Sequence, residues 1–317
     1  MKITILEPLA VEEEKLRKMA EYITKEGHEL DIYNSKGKND EELIERVKDT
    51  EILIIANSPL SGDVIRSAKK LKMIAVAFTG VDHVDLDACR ERDIIVSNAA
   101  GYSTSSVAEL AFGMMISIYR NLVPLDEVTR KGGTKDGYRQ IDLYEKTLGI
   151  VGTGAIGSHV ANIGLAFGCK VIAYNRSVNK DLQDKGVEFV SLEELLKISD
   201  IVTIHLPLND STKGLIGEKE IALMKEDSIL INTARGPIVD NKALAKALKN
   251  KDILGAGIDV FDIEPPLNLD EELLDTDNTV LAPHIGFATE EAMVRRAEIT
   301  FDNVDSFIKG SPKNLIK

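Results

Sequence analysis

Cysteine is almost missing from this chain. Of 317 residues only Cys89 and Cys169 carry thiols. That is too few for a disulfide framework, and their apolar or helical settings point to buried free thiols. No apolar run approaches the roughly 20 residues needed to cross a bilayer. The start, Met1-Lys-Ile-Thr-Ile-Leu-Glu7, reads as a short strand rather than a secretory signal. Positive charge is also scarce: 39 Lys and Arg stand against 52 Asp and Glu, a net charge of −13. This argues against a nucleic-acid or anionic-membrane partner, although local cations can still receive an anionic substrate. Solenoid-spaced repeats and low-complexity tracts are absent too. These absences leave a soluble, cytoplasmic protein as the expectation. At this length, with 44% apolar residues, two domains are expected.

The most informative stretch that is present lies mid-chain: Thr147-Leu-Gly-Ile-Val-Gly152-Thr-Gly154-Ala-Ile-Gly157. An apolar run that empties into Gly-x-Gly-x-x-Gly reads as a buried strand, a tight turn and a helix start. Gly152 permits the turn, Gly154 lets a pyrophosphate approach, and Gly157 lets the helix pack closely. The free N–H groups at Ala155 and Ile156 add the positive end of a helix dipole. A purely structural turn could look alike. The strand before it, and Ala161, Gly164 and Leu165 at helical spacing after it, favour dinucleotide binding.

Strand and helix alternate on both sides of this motif. Before it, strands are expected at Ile3–Leu6, Leu30–Tyr33, Glu51–Ala56, Met73–Phe78 and Ile94–Ser97. Helices are expected at Glu12–Glu26, Asp40–Val47, Leu60–Ala68 and Asp85–Arg92. Ser103–Arg130 reads as one long, largely buried helix. Lys131–Gly137 reads as an exposed loop. Six further strands follow, near Leu148–Val151, Lys170–Tyr174, Ile201–Ile204, Ser228–Asn232, Gly255–Ile258 and Thr279–Ala282. The last helix, Thr289–Lys309, is expected to return to the N-terminal part. The fold class is therefore α/β, with two doubly wound parallel sheets. A Rossmann cofactor domain (99–289) is inserted in a flavodoxin-like substrate domain (1–98 plus 290–317), with a hinge at the two crossings.

In such a cofactor fold an acidic residue usually ends the second strand and bonds the adenosine ribose. Here Lys170-Val-Ile-Ala-Tyr174 is followed by Asn175, Arg176 and Ser177. A guanidinium and a hydroxyl can bond a 2′-phosphate, which favours NADP(H). The alternative is NAD(H), with Asn175 on the ribose and Arg176 stacked on adenine or solvated.

Three strand ends in the second half carry reactive side chains. Ile231-Asn-Thr-Ala-Arg235-Gly236 offers a guanidinium. Asp259-Val-Phe-Asp-Ile-Glu264-Pro265-Pro266 offers carboxylates, and Leu281-Ala-Pro-His284-Ile-Gly286 an imidazole. Ligands bind beyond the carboxyl ends of parallel strands, where all three fall. Singly, Arg235 could be a surface ion-pair partner, Glu264 a loop carboxylate and His284 a core histidine. Their joint occurrence favours a catalytic site.

With Thr79-Gly-Val-Asp82-His-Val-Asp85, Ser106-Val-Ala-Glu109 and His205-Leu-Pro-Leu added, the chain resembles the D-isomer-specific 2-hydroxyacid dehydrogenases over nearly its whole length. The resemblance implies an Arg/Glu/His arrangement on Arg235, Glu264 and His284. His284 would exchange the proton of the 2-hydroxyl, Glu264 would bond the other ring nitrogen, and Arg235 would hold the substrate carboxylate. It also implies carboxylate binding by backbone N–H groups at Thr79 and Gly80, and closure of one domain on the other. Cofactor contacts are expected from Val107, Pro207, Thr212, Thr233, Ala234 and Gly286, besides the fingerprint and residues 175–177. His205 is expected near the adenine, and Asp259 and His284 near the nicotinamide. His83, between Asp82 and Asp85, suits capping or hydrogen bonding better than a metal, and no metal site is expected.

Relatives that use phosphoglycerate commonly carry Arg on the strand leading to the Thr-Gly loop. Here that strand reads Ala75-Val76-Ala77-Phe78, and no regulatory domain is seen after Lys317. A small side chain, as in hydroxypyruvate or glyoxylate, suits an apolar pocket with Phe78 and Leu60. A D-3-phosphoglycerate or D-lactate-type dehydrogenase is the alternative. A nucleotide-sensing, corepressor-like binding protein is the alternative of another class. Relatives imply a homodimer formed through the cofactor domains.

Overall fold

The pleat of each strand settles how this chain folds, because nearly every inner strand is apolar on both sides. A computed structural model describes residues 1–263, 267 and 269–316. It falls into two compact units, Met1–Ser103 with Ala288–Lys317, and Thr104–Phe287.

In the first unit, β1 (Lys2–Ile5), β2 (Glu29–Ile32), β3 (Ile52–Ile55), β4 (Met73–Val76) and β5 (Ile95–Asn98) form one parallel sheet in the order β2-β1-β3-β4-β5. β3 and β4 are buried at every position, while edge strand β2 is not. Successive residues point to opposite faces. Ile52 and Ile54 therefore join a core with Leu16, Ile23, Ala297 and Phe301, and Leu53 and Ile55 join another with Val64, Ile65 and Ala88. Helices thus cover both faces, which is what a parallel sheet requires.

The second unit repeats the plan with β6 (Thr147–Val151), β7 (Lys170–Tyr174), β8 (Glu188–Phe189), β9 (Ile201–Ile204), β10 (Ile229–Asn232), β11 (Gly255–Ile258) and β12 (Thr279–Leu281). All pairs are parallel, in the order β12-β11-β10-β9-β6-β7-β8. The order reverses between β6 and β9, the switch point at which such sheets bind ligands.

Three expectations need correction. The stretch 103–130 is two helices, Thr104–Tyr119 and Leu122–Arg130, separated by Asn121 at φ 49°. Asn121 tolerates that left-handed turn, and its Nδ2 donates to the Arg139 carbonyl at 2.6 Å. The second helix buries no residue, so burial extends over the first alone. Likewise 12–26 is two short helices, Glu13–Met19 and Glu21–Lys25. Strand β8 and the helix Lys180–Asp184 also went unread from sequence, being too short for a period to show.

Both thiols are free and buried. Burial pushes Cys89 up to about 11, so both are inert packing groups. Among the described residues no helix is long and apolar enough to cross a membrane.

Candidate active site

Strand β6 delivers the fingerprint to the switch point of the second unit. Gly152 has φ +100°, and a Cβ there would lie 2.6 Å from the His205 carbonyl oxygen at the end of β9. A Cβ on Gly157 would meet the Gly152 carbonyl oxygen at 1.9 Å. Both positions therefore admit glycine alone. Gly154 faces open space instead, and with Ala155 it is exposed.

The helix Ala155–Ala166 starts at Gly154 without a side-chain cap. Helices at Asp40, Leu86, Leu192 and Asn241 are capped by their own Asn, Asp or Ser. Its first N–H groups are thus left for an anion. Next to it Thr153 Oγ1 and His205 Nδ1, and at the end of β10 Thr233 Oγ1, are buried with no partner among the described residues. Orphaned polar atoms beside an uncapped helix start fit a dinucleotide well.

Asn175, Arg176 and Ser177 follow the end of β7. Asn175 Oδ1 accepts from Thr153 N–H at 3.5 Å, and its Nδ2 donates to the Ser177 carbonyl at 2.8 Å. Arg176 and Ser177 are exposed. Among the described residues Val107 packs within reach of Gly286, where a Cβ would lie 3.5 Å from its Cγ2. Thr212 is occupied in closing its own loop, donating to the Pro207 carbonyl at 2.7 Å and accepting from Asn209 N–H at 2.8 Å. Ala234 is buried. His205 bonds Thr203 Oγ1 through Nε2 at 2.9 Å. Burial holds its imidazole down at about 3, so it is neutral at physiological pH and no proton donor.

The adjacent strands β10, β11 and β12 bring the other loops side by side. Beyond β10, Asn232 Oδ1 accepts from Ala234 N–H at 3.0 Å and its Nδ2 donates to the Arg235 carbonyl at 3.1 Å. This buried amide fixes the turn that leaves Arg235 exposed. A Cβ on Gly236 would strike the Phe261 carbonyl carbon at 2.1 Å, so the turn lies flat on the loop after β11.

Beyond β12, His284 has φ 56°. Its N–H donates to the Asp259 carbonyl at 2.8 Å. The buried Asp259 carboxylate then accepts Ile285 N–H on Oδ1 and Gly286 N–H on Oδ2, both at 2.8 Å. One carboxylate thereby folds the 284–286 loop and presents the half-buried imidazole, whose ring meets Phe287 edge-on at 5.3 Å. Sequence reasoning placed Asp259 near the nicotinamide and missed this anchoring. The matching N–H pairs lie in another loop, so no local pattern signals it. Asn232 and Phe287 were missed as well, although their partners are local: Asn232 bonds Ala234 and Arg235 of its own turn, and Phe287 lies three residues from His284. Glu264 lies outside the described residues.

In the first unit Phe78, Thr79 and Gly80 follow β4, with Thr79 exposed and Phe78 half-buried. Phe78 meets Tyr102 edge-on at 5.9 Å. Leu60 is buried. The His83 ring bonds the Ala56 backbone, and burial lowers its pKa. Capping falls to Asp85, whose Oδ1 accepts Ala88 N–H at 2.9 Å. Among the described residues no group of His, Cys, Asp and Glu is arranged for a metal.

Comparison with known proteins agrees. Residues 112–286 match the D-isomer specific 2-hydroxyacid dehydrogenase, NAD binding domain. A glyoxylate reductase of Korarchaeum cryptofilum is 39% identical over 92% of this chain and 90% of its own. A hydroxypyruvate reductase of Thermotoga maritima is 38% identical over 88% and 92%. An acyclic imino acid reductase solved with NADPH and D-Arg superposes with a TM-score of 0.87 over the full length of both chains, at 32% identity. The chain therefore belongs to the D-isomer-specific 2-hydroxyacid dehydrogenases, NAD(P)-dependent oxidoreductases that act on the CH–OH group of 2-hydroxy acids.

Proposed function

We propose that this enzyme reduces a small 2-keto acid, glyoxylate or hydroxypyruvate, to the D-2-hydroxy acid in the cytoplasm, with NADPH preferred over NADH. The observation that carries the reading is the His284 loop, built on the Asp259 carboxylate and presenting a half-buried imidazole. When bound, the nicotinamide supplies the hydride. His284 gives the proton that the forming alkoxide needs, and takes it back in the oxidation. In this reading Glu264 is the partner of the second ring nitrogen and fixes the tautomer of the ring. Arg235, held out from a turn that Asn232 fixes, grips the carboxylate and polarises the keto oxygen.

The first unit is the substrate domain, with the Thr79 and Gly80 N–H groups receiving the carboxylate. The second is the cofactor domain. Buried Val76 on β4 offers no cation for a phosphate, which argues against phosphoglycerate. The names of the glyoxylate and hydroxypyruvate reductases support the small keto acids. Exposed Arg176 supports NADPH, because its guanidinium fork can meet a 2′-phosphate.

A homodimer through the cofactor units is also proposed, since the helix Leu122–Arg130 leaves Leu122 and Val123 exposed. Light scattering of the purified protein would check it, and a monomer would exclude it. The main test is turnover of glyoxylate, hydroxypyruvate, pyruvate and 3-phosphohydroxypyruvate with each reduced nucleotide. Preference for 3-phosphohydroxypyruvate, or for NADH by tenfold, would refute the corresponding half of the reading.

A further inference from the structure

The helix Glu290–Ile308 buries an apolar face, yet beside it runs a buried polar stripe of Arg296, Thr300 and Asn303. Spacings of four and three put these residues on one side of the helix. Burying such groups is unfavourable unless they are bonded, and Asn303 is bonded at both ends. Its Nδ2 donates to the Asn98 carbonyl at 2.8 Å, and its Oδ1 accepts from Asn314 Nδ2 at 2.7 Å. The Asn314 carbonyl accepts Asn98 N–H at 3.1 Å, and Ile316 N–H donates to the Val96 carbonyl at 2.9 Å. Residues 314–316 thus lie antiparallel along β5, with Leu315 opposite Ser97.

This chain of asparagines ends on the loop after β4. Asn98 Nδ2 donates to the Thr79 carbonyl at 2.7 Å, and Ala99 N–H donates to the Phe78 carbonyl at 2.9 Å. A trans peptide is planar, so its C=O and N–H point in opposite directions. Holding the Phe78 carbonyl therefore aims Thr79 N–H away from Ala99. Holding the Thr79 carbonyl aims Gly80 N–H away from Asn98. Neither N–H finds a partner among the described residues. The Phe78 side chain is steadied as well, with the Arg296 guanidinium 4.8 Å from its ring centroid.

We propose that Asn98, fixed in turn by Asn303 and Asn314, is the positioning residue of the carboxylate site. It turns two successive peptide groups into an anion-binding nest at Thr79 and Gly80. This rests on the reading that the loop receives the substrate carboxylate. Asn98 touches no substrate atom in this scheme and acts through the orientation of its neighbours.

The test is steady-state kinetics of Asn98→Ala and Asn98→Asp, the latter keeping the shape without an amide donor. Both should raise the KM for the keto acid about tenfold, as expected for one misaimed charge-assisted bond, while the KM for NAD(P)H stays within twofold. Thr4→Val breaks the buried Thr4–Thr50 bond of the same sheet. It should lower the melting temperature without moving either KM. The neutral amide of the same keto acid offers no anion and should lose nothing in the Asn98 variants. Equal losses for acid and amide would mean general distortion, and would overturn the proposal. Gly80→Pro deletes an N–H directly and separates the two ideas. A raised KM there with a wild-type KM in both Asn98 variants removes the positioning role and keeps the loop reading. A wild-type KM in all three variants sinks both.

Discussion

The two units share one architecture, yet their functional loops are held by opposite chemistry. After β11 a carboxylate, Asp259, accepts two N–H groups of the 284–286 loop and so displays a side chain, His284. After β5 an amide, Asn98, donates to a carbonyl of the 78–80 loop and leaves backbone N–H groups facing outward. An acceptor anchor consumes donors, while a donor anchor frees them. The first arrangement suits proton transfer by a ring, the second suits binding of an anion. Under the proposed function, two sheets of the same kind divide catalysis and recognition by the polarity of one anchoring residue each, buried Asp259 and half-buried Asn98.

The largest effect should come from the displayed ring itself. His284→Asn keeps a residue that tolerates positive φ while removing the proposed proton donor. It should lower kcat by about 10²- to 10⁴-fold, with the nucleotide dissociation constant nearly unchanged. A variant retaining most of its kcat would rule out the assignment.

Next is the anchor. Asp259→Asn places an NH₂ where one of the two N–H groups now donates, and should cost kcat roughly tenfold to a hundredfold. If kcat holds while only the melting temperature falls, Asp259 is structural and the contrast with Asn98 fails.

Nucleotide choice ranks third. Arg176→Ala should raise the KM for NADPH about tenfold and leave NADH within twofold. Equal changes with both nucleotides would assign Arg176 to the adenine.

The smallest effect concerns His205. Its folded pKa of about 3 lies below the unfolded 6.5, so between these values the unfolded chain binds the extra proton. The stability from keeping this ring neutral is complete above about pH 6.5 and declines as pH falls toward 3. Urea midpoints of the wild type should therefore drop more between pH 8 and pH 5 than those of His205→Gln. Parallel drops in both proteins would count against the burial of a neutral ring there.

Legibility from sequence varied with the range of the interaction. The continuous apolar runs of β3 and β4 and the Gly152–Gly157 turn were readable, because burial on both faces and a positive φ leave marks within a few residues. The break at Asn121 was not. The apolar pattern continues past it, and only the bond to Arg139 reveals the turn. Arg235 and His284 could be named as candidates because reactive side chains stood at predicted strand ends. Asp259 was read by type and placed near the cofactor, but its anchoring of the His284 loop was hidden. Asn98 and Asn303 were invisible, each being an ordinary residue inside a strand end or a helix.

By itself the sequence determined the class of fold, the Gly152–Gly157 turn and the candidate reactive side chains, since these follow from local period, local φ and side-chain chemistry. The tertiary structure alone decided which peptide groups face outward. That choice depends on hydrogen bonds between residues such as Asn98 and Thr79, or Asp259 and Gly286, which meet only when the strands are laid side by side.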